Sequence, residues 1–214
     1  MKVFAGTDIG KAREMNQDYY YVSRNSDEVK LCVLADGMGG YNGGEIASNM
    51  AVMSVKSYIY NNYSKIKLET DEIINLLKDA TQYANMLVYE KTREISSLEE
   101  MGTTLEVVLM VENKIYISHI GDSRIYKIKQ LTLDHSYVEK LINDGTITRE
   151  ESKKHPQKNM ITKALRMYSI CRTRFTSWKN RRKWYNINLF RWINKYAIRW
   201  RNSKNNKRKS RRTK

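Results

Sequence analysis

Lys30-Leu31-Cys32-Val33-Leu34-Ala35-Asp36-Gly37-Met38-Gly39-Gly40-Tyr41-Asn42-Gly43-Gly44 is the stretch on which the fold turns. Residues 30–35 form an apolar run of strand length, bounded by turn residues. Residues 36–44 hold five glycines in nine positions, which predicts a loop. Beyond it, Ile46, Met50, Met53, Ile59 and Tyr60 recur at helical spacing, so residues 45–60 are expected to form an amphipathic helix. A strand that ends on a carboxylate and passes through glycines into a helix brings an acid to the edge of a sheet.

Working outward, residues 2–8 and 18–23 also read as strands, with residues 24–28 as a polar hairpin connection before the 30–35 strand. On the other side, residues 71–97 predict a second helix carrying Ile73, Leu76, Leu77, Ala80, Ala84, Leu87 and Val88. Three strand-like runs follow at 103–111, 114–120 and 124–128, joined by Glu112-Asn113 and by Gly121-Asp122-Ser123. Ser136 with Glu139, and Thr148 with Glu151, have the spacing of capping boxes and predict two short helices. Helices grouped apart from an antiparallel meander indicate an α+β layered fold rather than an alternating parallel one.

Acidic residues gather at three strand ends or turns. They are Thr7-Asp8-Ile9-Gly10 with Arg13, Asn16, Gln17 and Asp18; Ala35-Asp36-Gly37-Met38-Gly39-Gly40; and Gly121-Asp122-Ser123-Arg124. Any one of them alone is ordinary turn chemistry, since glycine supplies positive φ and aspartate bonds its own backbone. Arg13 alone reads as a solvated cation.

In this order, and together with Gly102-Thr103-Thr104, Asp134-His135-Ser136, Asn143-Asp144-Gly145, His155-Pro156 and residues 159–165, the series resembles the bacterial PPM (type-2C) protein serine/threonine phosphatases. The resemblance covers residues 1–165 and implies a β-sandwich of two antiparallel sheets flanked by helices. It also implies two Mg²⁺ or Mn²⁺ ions, with a third, weaker one. On this reading Asp36 bridges two ions, the Gly37 carbonyl binds one, Asp18 supports the site, Asp122 serves the third ion, and Arg13 grips the substrate phosphate. Asp36 and Arg13 are thus the expected catalytic residues. Oxygen donors suit hard divalent cations, and a guanidinium fork matches phosphate oxygens. The implied reaction is hydrolysis of phosphoserine and phosphothreonine by metal-activated water. The implied partners are phosphorylated proteins, the substrates of a serine/threonine kinase. One departure stands at Tyr41, where many relatives carry histidine, so the leaving-group acid is left unassigned. His119 is expected to be a packed core residue, and His135 a helix cap.

Residues 166–214 differ sharply from the rest. They hold 18 Lys and Arg and no Asp or Glu, whereas residues 1–165 hold 21 basic and 23 acidic residues. The formal net charge of +16 therefore lies wholly in the tail, as do all four tryptophans. The resemblance requires further metal carboxylates near the C-terminus, in a Ser-Asp-Gly and an Asp-Asn segment, and the tail has none. Reading out of frame accounts for this. Tryptophan has the single codon TGG, which one base later gives glycine. Arg191 written AGA before Trp192 then gives aspartate, and residues 187–200 can re-read as a stretch containing Ser-Asp-Gly. The fold is thus expected to be incomplete at its C-terminus, with 166–214 an out-of-frame, disordered or non-native tail and this chain inactive or nearly so.

Two other function classes compete. One is nucleic-acid binding by the tail, through phosphate neutralisation and tryptophan stacking. The other is a non-catalytic phosphatase-like protein. A membrane-surface helix around residues 184–200 is a weaker reading, because tryptophans spaced by eight drift around a helix. Cys32 and Cys171 show no metal-ligand spacing. With no signal-peptide or spanning run in the sequence, the expectations are a cytoplasmic location, a monomer, no membrane partner and no specific nucleic acid.

Overall fold

The computed structural model describes residues 2–11, 13–126, 132–166, 174–179, 188–190 and 198–201. The strands are β1 (Lys2–Phe4), β2 (Asp18–Val22), β3 (Lys30–Met38), β4 (Gly102–Thr103), β5 (Leu105–Val111), β6 (Lys114–Ile120), β7 (Arg124–Tyr126), β8 (Arg174–Lys179), β9 (Asn188–Phe190) and β10 (Ile198–Arg201). The helices are α1 (Gly40–Asn62), α2 (Thr70–Glu94), α3 (Tyr137–Asn143) and α4 (Arg149–Ser152). One sheet runs β1-β10-β9-β7. The other runs β2-β3-β5-β6-β8, with β4 paired to β3. The strand pairings are antiparallel. The expected α+β fold, with two antiparallel sheets and flanking helices, is the fold observed.

Side-chain alternation sorts the larger sheet into two faces. Leu31, Val33 and Ala35 of β3, with Leu105, Val107 and Leu109 of β5, join Ala47, Ala51, Val55 and Ile59 of α1 and Ile73, Leu77, Ala80 and Val88 of α2 in one buried cluster. Cys32 and Leu34, with Val108 and Met110 of β5, meet Ile115 and Ile117 of β6 and Ile125 of β7 in a second. Because β7 belongs to the other sheet, this second layer lies between the sheets.

Several boundaries differ from the sequence reading. Strand β3 runs on through Asp36 and Gly37 to Met38, so these residues lie in a strand rather than a loop. The ladder continues because Gly102 and Thr103 of β4 pair with Met38 and Gly37. Helix α1 starts at Gly40, within the glycine-rich segment. Its buried stripe is the small-residue series Ala47, Ala51, Val52 and Val55, ending on Ile59, while Met53 is 40% exposed. Small side chains let α1 lie close to the sheet, which amphipathic periodicity alone does not reveal. Thr148 and Glu151 make the full capping box. Ser136 accepts from the Glu139 backbone N–H, but the Glu139 carboxylate is held by Arg149 at 2.9 and 3.1 Å, so the reciprocal half of that box is replaced by an ion pair.

Among its described residues the tail enters the sheets at three places. Strand β8 extends the larger sheet along β6, and β9 and β10 bridge β7 to β1. Residues 167–173, 180–187, 191–197 and 202–214 lie outside the described residues, as do 127 and 128 of the expected third strand.

Candidate metal and phosphate site

Asp18 opens β2, and its register partner is Asp36 near the end of β3. Directly opposed residues in an antiparallel pair share a face. Asp36 follows Cys32 and Leu34 in alternation, and Asp18 shares the parity of Tyr20 and Val22, which pack on the inter-sheet layer. Both carboxylates thus face the space between the sheets, at one end of the larger sheet. They are 9% and 5% exposed, a costly setting for two like charges unless cations or hydrogen-bond donors compensate.

The backbone around them is tightly held. Gly37 donates to the Gln17 carbonyl at 3.0 Å. A Cβ at residue 37 would lie 1.9 Å from the Gly44 carbonyl oxygen, so glycine is required there by contact. Thr104 reaches both sides of Asp36. Its Oγ1 accepts from the Asp36 N–H at 3.0 Å, and its own N–H donates to the Asp36 carbonyl at 3.0 Å. The same Oγ1 lies 2.9 Å from Ser123 Oγ, so one threonine joins the Asp36 strand to the turn that carries Asp122. Gly121 in that turn has φ +114°, and a Cβ there would meet Thr104 Cγ2 at 2.6 Å. The turn is further held by Arg124, whose guanidinium donates to both oxygens of Asp134.

Of the residues singled out from sequence, the structure brings Asp18, Asp36 and Gly37 together and joins the Asp122 turn to them through Thr104 and Ser123. Asp122 itself is half-buried. Arg13 is exposed in the loop between β1 and β2, and among the described residues no ion pair ties it to these carboxylates. The side chain of Tyr41 lies outside what is described.

The donor set is all oxygen, which fits a hard divalent cation in kind. In number it falls short, since no group of three His, Cys, Asp or Glu able to hold an ion occurs among the described residues. Two carboxylates and a carbonyl make part of a coordination shell. Water and further ligands would have to complete it.

Sequence reasoning missed a second polar cluster beside this one. Glu106 of β5 is fully buried, with its Oε1 2.5 Å from Nδ1 of His119. His119 stacks on His135, with centroids 4.6 Å apart. Burial pushes the Glu106 carboxyl up to about 7. Burial alone would push the His119 imidazole down, but the adjacent Glu106 carboxylate outweighs it and the net shift is upward. His119 is thus packed in the core, as expected. His135 does not cap α3. That role falls to Ser136, while His135 Nδ1 accepts from the Gly121 N–H at 3.2 Å. The available signal was a lone carboxylate in the otherwise apolar run 105–111.

Among the described residues no helix is long and apolar enough to cross a membrane. Residues 5–173 match the family model for protein phosphatase 2C. Protein phosphatase PhpP of Streptococcus pneumoniae is 37% identical over 173 residues, a match covering 77% of this chain and 68% of that protein. Serine/threonine phosphatase stp of Listeria monocytogenes is 35% identical over 164 residues, covering 74% of this chain and 64% of that one. The crystal structure of Stp1 from Staphylococcus aureus superposes with a TM-score of 0.78 at 31% identity, covering 88% of this chain and 74% of Stp1. The catalytic domain of PstP, solved in complex with two manganese ions, gives 0.73 at 28% identity, covering 88% of this chain and 76% of that one. By the length of the family match and its agreement with the observed fold, this chain belongs to the protein phosphatase 2C family of metal-dependent serine/threonine phosphatases.

Proposed function

We propose that the body of this chain is built to hydrolyse phosphoserine and phosphothreonine in phosphoproteins, with Asp36, the Gly37 carbonyl and Asp18 holding Mg²⁺ or Mn²⁺. The single observation that carries this is the register pairing of Asp18 with Asp36, two buried carboxylates on one face at a sheet end, in a chain of this family. Bound divalent ions supply charge neutralisation and acidify water, which provides the attacking oxygen at neutral pH. The protein's own part is placement. Thr104 and Gln17 fix the backbone on either side of Asp36 and Gly37. Asp122, on its Thr104-linked turn, is assigned to a third and weaker ion. Arg13 is assigned to the phosphate, where its planar fork can donate to two oxygens at once. Its exposure suits a group that meets a protein-borne phosphate arriving from solvent.

The tail belongs to the same proposal. Residues 166–214 are read as out of frame, so that β8, β9 and β10 extend the sheets through backbone pairing while the tail supplies none of the remaining carboxylates. The chain as it stands is accordingly weakly active or inactive. Its substrates would be targets of a serine/threonine kinase, and it would act as a monomer. Contacts of the basic tail with nucleic acid would be non-specific and salt-sensitive.

The test is release of inorganic phosphate from a phosphothreonine peptide with Mn²⁺ present, then with chelator added. It is run on this chain and on a version whose tail is translated one base later. Activity that appears in the re-read version, needs the metal and is lost in Asp36→Asn supports the reading. Metal-independent release, or none from either version, refutes it.

A further inference from the structure

Strand β5 is apolar along its length except at Glu106, which is fully buried. Its Oε2 is buried with no hydrogen-bond partner. A carboxylate so placed costs stability that an apolar residue would not, so its presence calls for another role.

Proton counting shows what Glu106 holds. His119, its register partner on β6, has Nε2 2.9 Å from the Leu133 carbonyl. A carbonyl only accepts, so Nε2 carries a proton. The 2.5 Å contact between His119 Nδ1 and Glu106 Oε1 then contains one further proton, whichever atom carries it. The pair is neutral overall in either form, and both nitrogens of His119 are engaged. Its ring is thereby locked in plane, and His135 lies on it with an interplanar angle of 25°. His135 in turn grips the Gly121 turn twice. Its Nδ1 accepts from the Gly121 N–H at 3.2 Å, and its own N–H donates to the Gly121 carbonyl at 2.8 Å. Its carbonyl accepts from Thr162 at 2.8 Å, which fixes the segment from behind.

We propose that Glu106 is a positioning residue for the Gly121-Asp122-Ser123 turn, acting through the stacked rings of His119 and His135. Thr104 and Ser123 hold one side of that turn, and the Glu106 chain holds the other. The importance of this to catalysis rests on the assignment of Asp122 to the metal site, but the positioning itself does not.

The experiment is amide hydrogen exchange at Gly121 and His135, alongside ¹⁵N-histidine spectra, in the full chain and three variants. In Glu106→Leu both amides should exchange at least about tenfold faster, relative to the β5–β6 ladder amides, as expected for local opening. The low-field imidazole N–H proton of His119 should disappear. Glu106→Gln keeps the shape and one hydrogen bond, so it should fold and give an intermediate effect. Val108→Ala, two residues along the same face, should lower the melting temperature without singling out Gly121 and His135. Unchanged exchange at these two amides in Glu106→Leu and Glu106→Gln would overturn the proposal, as would the same pattern in Val108→Ala. Because exchange does not depend on turnover, failure of phosphate release with this pattern intact would count against the proposed function alone.

Discussion

Strand β6 has a different kind of neighbour on each side. Toward β5, its partners are matched side chain by side chain: Ile117 faces Val108, Ile115 faces Met110, and His119 faces Glu106. Toward β8, it pairs with a run from the basic tail, Arg174-Phe175-Thr176-Ser177-Trp178-Lys179. Backbone hydrogen bonds are the same on both sides, because a ladder asks only for N–H and C=O in register. Chemistry is not the same. The body places two carboxylates opposite each other at a sheet end, whereas the tail contains no carboxylate to place. Completing a sheet and completing a site are separate requirements, and the second depends on which side chains arrive.

The largest effect should come from changing what the tail brings without removing its strands. Re-reading the tail one base later should raise metal-dependent phosphate release by about 100-fold or more, since loss even of groups supporting metal ligands costs 10- to 100-fold. Equal rates from the two versions would erase the contrast between body and tail. Next in size is the body's core. Leu109→Ala, at a fully buried position on β5, should cost about 2–5 kcal/mol in denaturant unfolding. A cost below ~1 kcal/mol would mean that the sheet is held as loosely there as backbone pairing alone would hold it.

A smaller effect is pH dependence. Glu106 and His119 are both shifted upward, so the folded chain keeps a proton that the unfolded chain releases above pH ~6.5. That stabilisation is fully present below this pH and is lost as pH rises through the folded-state value. Asp122, Asp134 and His135 lie about the pair, with Arg124 held on Asp134, and the two aspartates favour retention of the proton. Stability should fall as pH rises above about 6.5, by up to about 1.4 kcal/mol per unit, and Glu106→Leu should abolish this slope. A flat wild-type profile contradicts the shared proton. Smallest is Thr148→Ala, which removes the α4 capping box and should cost about 1 kcal/mol.

These effects also mark what could be read from sequence. The turn chemistry around Asp36-Gly37 and Gly121-Asp122 was legible locally, but only the joint order of the clusters, through its resemblance to a family, singled out Asp18, Asp36, Gly37 and Asp122. That Asp18 and Asp36 are register partners was not legible, since Asp36 reads as a loop residue until β4 is seen to extend the ladder. Glu106 with His119, and Thr104 with Ser123, are pairings between strands whose register no local pattern encodes. The small-residue stripe of α1 was hidden because alanines mark closeness of packing rather than amphipathicity. The tail strands escaped notice because their pairing rests on backbone, which any sequence supplies.

The most direct test of the account is Mn²⁺ binding measured by calorimetry on the chain with the re-read tail, beside its Asp36→Asn variant. The account predicts saturable binding in the former and its loss in Asp36→Asn, with melting temperatures in chelator that agree closely. Undiminished binding in Asp36→Asn would contradict the assignment of the Asp18–Asp36 pair as the metal site.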